Sequence, residues 1–317
     1  MMAAVRRLLL VALILCPLLA QAQPRIGVLT FTDAGDDFKN GFLAALRSHG
    51  YEDGRNVFVL WRSAGARMDA ARQHATELAS LKVSVIVVRL TPAVHAARGA
   101  TSTIPIVMAG AGDPVGTGLI SNLARPGGNI TGIAGLAAEV SGKRIELLQE
   151  LLPGLKRVGL LTNTADPFAK PFIGESEAAA KKLGMTVVQA DVRRPPDVPG
   201  ALRALKAGGA QAVIVQGILT DPSWRAGEVS VETGLPALSF VRPFAASGGL
   251  MELSNSLSEI YERSASYVAR ILAGAKPGEL PVEQPTRFEL TINLRTAKAL
   301  GLTVPRSLLL RADQIIE

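Results

Sequence analysis

The chain has 317 residues but only one cysteine, three histidines and 4% aromatic residues. A single thiol, Cys16, cannot form an intrachain disulfide and cannot build a cysteine metal site. The histidines, His49, His74 and His95, stand far apart and show no metal-binding spacing. We therefore expect no metal site and no cofactor.

The sequence also lacks the usual signals for nucleic-acid binding and for catalysis. The formal net charge is +7, but the basic residues are scattered among acidic ones, and no run of aromatic residues offers a stacking surface. There is no phosphate-binding loop, no nucleophile elbow and no serine with a recognisable base. We expect a protein that is not an enzyme, has no catalytic residues and does not bind nucleic acid.

The N-terminus carries the pattern of a secretory signal. Arg6 and Arg7 precede an apolar run that ends at Leu19, and the small-x-small sequence of residues 20–22 follows it. The run is shorter than the about 20 apolar residues that a membrane-spanning helix needs. We expect cleavage near Ala22 and a periplasmic mature chain. The competing interpretation, a lipoprotein acylated at Cys16, is disfavoured by the bulky Leu15 before it.

From residue 25 onward, short apolar runs alternate with amphipathic stretches, as in parallel sheets covered by helices on both faces. The predicted strands are residues 26–29, 57–60, 83–88, 104–108, 158–161, 186–188, 212–215 and 235–240. The predicted helices are residues 38–49, 70–81, 142–152, 175–183 and 198–207. The fold class is therefore α/β, with two Rossmann-like lobes, each built on a mostly parallel sheet and joined to the other by crossing strands.

An internal duplication supports the prediction of two lobes. Four strands lead into an X-Pro step, and two of these steps fall in each half: Thr91-Pro92, Asp113-Pro114, Asp166-Pro167 and Asp221-Pro222. Thr or Asp suits a helix cap and Pro the first helical turn, so we expect each step to open a helix or a sharp turn. We expect residues 23–136 and 251–282 to form lobe 1, and residues 137–250 and 283–317 to form lobe 2, after a signal peptide at 1–22.

Nearly all of the chain after residue 22 resembles the periplasmic substrate-binding proteins of ABC transporters, in the subfamily of tryptophan- and tyrosine-type solute receptors. The resemblance is carried by residues 41–51, 91–93, 101–107, 112–119, 123–132, 142–148, 248–251, 281–290 and 292–302. This sequence departs from the family pattern at two places. One is Arg89-Leu90, before Thr-Pro-Ala, and the other is Glu252-Leu253-Ser254, after Gly-Gly-Leu-Met. The family's usual pocket chemistry is therefore not carried over at these positions.

The resemblance implies a type I periplasmic binding protein fold whose two lobes close over one small ligand and deliver it to ABC permease subunits in the inner membrane. We expect a monomer that binds an amino acid or related carboxylate. The alternative is a periplasmic sensing module of the same fold that docks to a signalling partner.

The candidate ligand-binding residues are those that follow the predicted strands, because the carboxyl ends of parallel strands form the binding crevice. They are Phe31, Thr32, Asp33, Arg89, Thr91, Pro92, Ala93, Asp113, Asn163, Thr164, Gln216, Gly217, Thr220 and Phe240.

Several candidates have a structural interpretation beside the functional one. Arg89 either contacts a ligand carboxylate or pairs with a structural carboxylate. Thr91 either helps to bind a carboxylate or caps a helix. Asp113 and Asp221 either cap turns or bind a ligand ammonium group, and Phe240 is either a cleft wall or a core residue.

Overall fold

The computed structural model describes residues 23–33, 35–135 and 138–317. The expected signal peptide, residues 1–22, lies outside these ranges. The strands are β1 (Arg25–Thr30), β2 (Phe58–Ser63), β3 (Val85–Arg89), β4 (Ile106–Gly112), β5 (Ile130–Gly135), β6 (Arg157–Thr162), β7 (Thr186–Asp191), β8 (Ala212–Val215), β9 (Ala237–Ser239), β10 (Met251–Asn255), β11 (Phe288–Asn293) and β12 (Gln314–Ile316).

The helices are α1 (Gly35–Ser48), α2 (Met68–Ser80), α3 (Thr91–Ala100), α4 (Ala138–Leu151), α5 (Ala169–Lys182), α6 (Val198–Ala207), α7 (Ala226–Thr233), α8 (Leu257–Leu272), α9 (Leu294–Ala299) and α10 (Arg306–Leu309). Among the described residues, no helix has both the length and the apolar character needed to cross a lipid bilayer.

The strands form two sheets, one in each lobe. The first has the order β2-β1-β3-β4-β5 and is entirely parallel. The second has the order β12-β11-β10-β9-β8-β6-β7 and is parallel except where β11 meets β10. These sheets confirm the predicted α/β class with two mostly parallel lobes.

Helices cover both faces of each sheet, which explains the continuous apolar runs of the strands. In β1, Ile26 and Val28 face the core under α1 and α8, whereas Leu29 faces the core under α2 and α3. Gly27 allows close packing of α2, because a Cβ at this position would lie 3.0 Å from the Leu78 side chain.

The expected lobe boundary at residue 251 is wrong by one strand. Met251–Asn255 pairs with β9 and β11 in the second sheet, and Met251 and Leu253 pack into the core of that lobe. The crossing back to the first lobe therefore follows Asn255. The next crossing follows Glu283, which still forms a bridge to Ile133 of β5.

Only one of the four X-Pro steps opens an α-helix at once. Thr91 begins α3, but its hydroxyl bonds to the backbone N–H and C=O of Gly112 and does not cap the helix. Asp113-Pro114 lies in a turn, and Asp166-Pro167 lies in a turn that precedes α5. Asp221-Pro222 begins a short 3-10 helix. At the other three steps the Asp side chain accepts a hydrogen bond from a backbone N–H two or three residues further on, so it caps a turn or a 3-10 helix.

Candidate functional site

The cleft between the lobes lies at the carboxyl ends of β1, β3 and β4 on one side and of β6, β8 and β9 on the other. The lobes touch across it. The Asp33 backbone N–H lies 3.4 Å from Oδ2 of Asp221, and a Cβ on Gly112 would lie 2.6 Å from the Phe168 ring. Crevices of this kind are the usual ligand sites of α/β folds.

One cavity in this cleft, called here the side cavity, has a volume of about 340 Å³. This volume falls within the range of small-molecule sites, about 300–1,000 Å³. The first lobe contributes Thr32, Asp33, Asp36, Asp37 and Arg89, and the second lobe contributes Thr220, Asp221, Arg242, Glu252, Thr291 and Gln314. Both lobes must therefore close to form it.

Charges of both signs line the side cavity. The Arg89 guanidinium lies 4.6 Å from the centroid of the Phe38 ring, and burial lowers its pKa to about 10, so it stays cationic at neutral pH. Asp33 and Asp221 contribute carboxylates from opposite lobes. Asp221 also caps a turn, since its Oδ1 accepts hydrogen bonds from the N–H and hydroxyl of Ser223.

The second cavity, called the central cavity, is only about 40 Å³ and lies deeper between the lobes. Asp166 lines it and is 5% exposed. Its carboxylate accepts hydrogen bonds from Nε2 of Gln216 at 2.7 Å and from the Phe168 N–H at 3.0 Å. Burial raises the pKa of Asp166 to about 6 despite these two donors.

An aromatic cluster forms the floor of the central cavity. Phe168 and Phe240 line the cavity, and Phe172 packs against both. The Arg144 guanidinium lies 4.3 Å from the centroid of the Phe240 ring. Arg144 is 1% exposed, and burial lowers its pKa to about 9. Phe240 therefore serves both as core and as cavity wall.

Residues 25–316 match the family described as ABC transporter substrate binding protein. The chain belongs to this family. It is 28% identical over 287 residues to a tyrosine-binding protein of Clostridioides difficile (strain R20291), covering 89% of this chain and 82% of that protein.

Solved structures agree with the family. An ABC domain in complex with L-Trp from Streptococcus pneumonia is 25% identical, with a TM-score of 0.84 over 93% of this chain and 100% of that one. The leucine-binding protein LivK from Thermotoga maritima is 12% identical, with a TM-score of 0.60 over 78% of this chain and 82% of that one, which shows a shared fold. The expected type I periplasmic binding protein fold is confirmed.

This substrate-binding protein is thus the solute-capturing component of an ABC import system, and the sensing alternative is not favoured. Members of the family bind their substrates without converting them and generally work outside the cytoplasm.

The sequence-predicted site residues do not form one cluster. The side cavity contains Thr32, Asp33, Arg89 and Thr220, whereas the central cavity contains Thr91, Gly217 and Phe240. A third cavity of about 290 Å³ at the end of β1 contains Phe31, Pro92 and Asn163.

The remaining four candidates line none of these three cavities. Ala93 is fully buried. Gln216 is buried as well and links Asp166 to the Asn163 N–H. Asp113 caps its own turn by accepting from the Gly116 N–H, and the Thr164 N–H donates to Asp191. The ligand-binding roles of Ala93, Gln216, Asp113 and Thr164 stay predictions.

Sequence reasoning missed several polar residues of the cleft: Asp166, Asn255, Arg242 and Thr291. Asp166 was interpreted only as a cap, although an Asp-Pro step after a buried strand was a usable signal. Thr291 lies in a strand beyond the eight that periodicity identified, so no pattern placed it at the cleft.

Proposed function

We propose that this receptor captures an amino acid in its zwitterionic form between the lobes and passes it, chemically unchanged, to an ABC permease. The observation that carries the proposal is the side cavity, in which the Arg89 guanidinium and the carboxylates of Asp33 and Asp221 line one space. A zwitterion has one charged group for each sign: its carboxylate faces the guanidinium, and its ammonium group faces the two carboxylates.

In this proposal Arg89 binds the ligand carboxylate, because a guanidinium can donate two parallel hydrogen bonds to it. Asp33 and Asp221 bind the ligand ammonium group from opposite lobes. Because the ligand bridges the lobes, binding stabilises the closed arrangement, as expected for hinge closure. The tyrosine-binding relative and the structure with L-Trp support an amino acid as the ligand class.

The partners and the location follow from the same proposal. We assign the chain to the periplasm as a monomer, released from a signal peptide cleaved near Ala22. Its protein partner is the permease of the importer, and neither a metal nor a cofactor takes part.

The test uses residues 23–317, refolded to remove any carried ligand, and a thermal-shift panel of amino acids, dicarboxylates and sugars. At a ligand concentration of 100 times Kd, binding adds about 2.7 kcal/mol to the unfolding free energy, enough to raise the melting midpoint by several degrees. We expect shifts only with amino acids. A selective shift with sugars, or silence across the panel, contradicts the proposal.

Calorimetric titration of two variants then tests the charges. We expect Arg89→Met and Asp221→Asn each to weaken amino-acid binding at least tenfold, or about 1.4 kcal/mol. Arg55→Met is the matched control, because Arg55 is an exposed arginine remote from the cleft that pairs with Glu52. Unchanged affinity in Arg89→Met removes Arg89 from the proposed site.

A further inference from the structure

One wall of the side cavity is a row of polar side chains on three neighbouring strands. Glu252 of β10 pairs with Thr291 of β11, and Thr291 pairs with Gln314 of β12. Directly paired residues present their side chains on the same face of a sheet. All three line the side cavity, and we call them the polar row.

Two members of the polar row have partners within the protein. Glu252, which is 2% exposed, accepts hydrogen bonds from the Ala245 N–H and the Ser254 hydroxyl and lies 3.4 Å from Nε of Arg242. Oε1 of Gln314 accepts a hydrogen bond from Nη2 of Arg242 at 3.1 Å. Nη1 of Arg242 also lies 3.4 Å from Oε2 of Glu289, so its guanidinium is shared between two carboxylates.

Thr291 is different. It is 4% exposed, and its hydroxyl has no hydrogen-bond partner anywhere in the described residues. Buried polar groups normally have partners, since leaving one unpaired costs free energy. Because Thr291 also lines the side cavity, a ligand in that cavity is the candidate for the missing partner.

Resting on the proposed function, we infer that the polar row recognises a hydroxyl or carboxamide at the far end of the amino-acid side chain. Arg242 is already engaged by the carboxylates of Glu252 and Glu289. The remaining hydrogen-bonding capacity of the polar row is neutral: the hydroxyl of Thr291 and the amide N–H groups of Gln314, whose Oε1 is taken by Arg242. A hydroxyl both donates and accepts, which suits a neutral group of the same kind.

The other walls of the side cavity fit the carbon skeleton that would connect the two ends of such a ligand. They include Pro222, Pro243, Leu257 and Ile316. An apolar middle with polar groups at fixed positions is typical of small-molecule sites. Thr291 is thus a specificity-determining residue, while Arg89 and the two aspartates provide recognition common to all amino acids.

A site built to bond a ligand hydroxyl rejects the analogue that lacks it far more strongly than an apolar pocket does, because the protein group is then left unpaired. We expect tyrosine to bind at least about tenfold more tightly than phenylalanine, and glutamine more tightly than methionine. The measurement is isothermal titration of the refolded chain with the four amino acids.

The deciding variant is Thr291→Val, which keeps the side-chain shape and removes the hydroxyl. We expect it to unfold at the same denaturant concentration as the parent, since the hydroxyl has no partner to lose, but to bind tyrosine and phenylalanine with nearly equal Kd. Thr296→Val is the matched control. Its buried hydroxyl donates to the Gly248 carbonyl, so this change should lower stability and leave the tyrosine preference intact.

The outcomes separate this inference from the function on which it rests. Equal Kd values for tyrosine and phenylalanine in the parent, or tightest binding of an apolar or charged side chain, overturn the inference and leave amino-acid capture standing. A full tyrosine preference in Thr291→Val also overturns it. If no amino acid binds, the proposed function fails and this inference fails with it.

Discussion

The buried carboxyl group of Asp166 should make the stability of this protein depend on pH in an unusual direction. Raising its pKa from 3.8 in the unfolded chain to about 6 in the fold means that the folded state holds a proton that the unfolded state has lost. The folded state binds more protons over this window, so the contribution of Asp166 to stability falls as pH rises from about 4 to about 6 and is constant above it.

The size of the effect follows from the same two pKa values. The difference between 3.8 and about 6 corresponds to about 3 kcal/mol of unfolding free energy at 1.36 kcal/mol per pH unit. Asp166→Asn removes the titration and retains one acceptor for the Phe168 N–H. In this variant the amide N–H of Gln216 faces the N–H of the introduced side-chain amide if the amide oxygen is kept for Phe168, and the two donors cannot bond. The lost hydrogen bond lowers the unfolding free energy by about 1–3 kcal/mol at every pH.

The assay is urea denaturation of parent and Asp166→Asn at several pH values from 4 to 7.5. We expect the stability of the variant relative to the parent to rise by about 3 kcal/mol between pH 4 and pH 6 and then to stay level. Glu262→Gln, an exposed acid-to-amide change on α8, should show no such trend. A constant difference between parent and Asp166→Asn across the pH range would refute the reasoning, because it means that the carboxyl group is hydrated in solution.

Two further predictions concern the rest of the cleft. Arg144→Met should leave the unfolding free energy unchanged or raise it in urea denaturation, since burial of this guanidinium is costly and Glu175 reaches it only through the Ser141 hydroxyl; a clear loss of stability would show that the stack on Phe240 and the attraction of Glu175 outweigh the burial of charge. Gly112→Ala should weaken ligand binding at least about tenfold in calorimetry and increase the radius of gyration of the liganded protein in solution scattering, because its Cβ would lie 2.6 Å from the Phe168 ring. Gly99→Ala, where a Cβ meets open space, is the control, and equal binding by all three proteins contradicts the close approach.

The sequence predicted the architecture well because every strand buried on both faces leaves an apolar run. The run at residues 158–161 lies within β6, and the run at residues 26–29 lies within β1. The strand Met251–Asn255 was harder to place, since it alternates apolar Met251 and Leu253 with polar Glu252 and Ser254. Alternation identifies a strand with one face in a core, but it does not show which of two lobes supplies that core.

The candidate site was less predictable because its residues meet through sheet register and not through neighbouring positions. Arg89 could be placed at the cleft, since it ends a buried strand. Glu252, Thr291 and Gln314 could not, because the antiparallel pairing of β10 with β11 and the return of β12 decide which of their side chains share a face. A shift of one residue in the β10–β11 pairing would turn Thr291 toward the core that Leu290 and Ile292 now face. The register of the strand pairing therefore decides which side chains form the polar row. For this reason the Thr291→Val titration tests both the strand pairing at the cleft and the ligand specificity of the receptor.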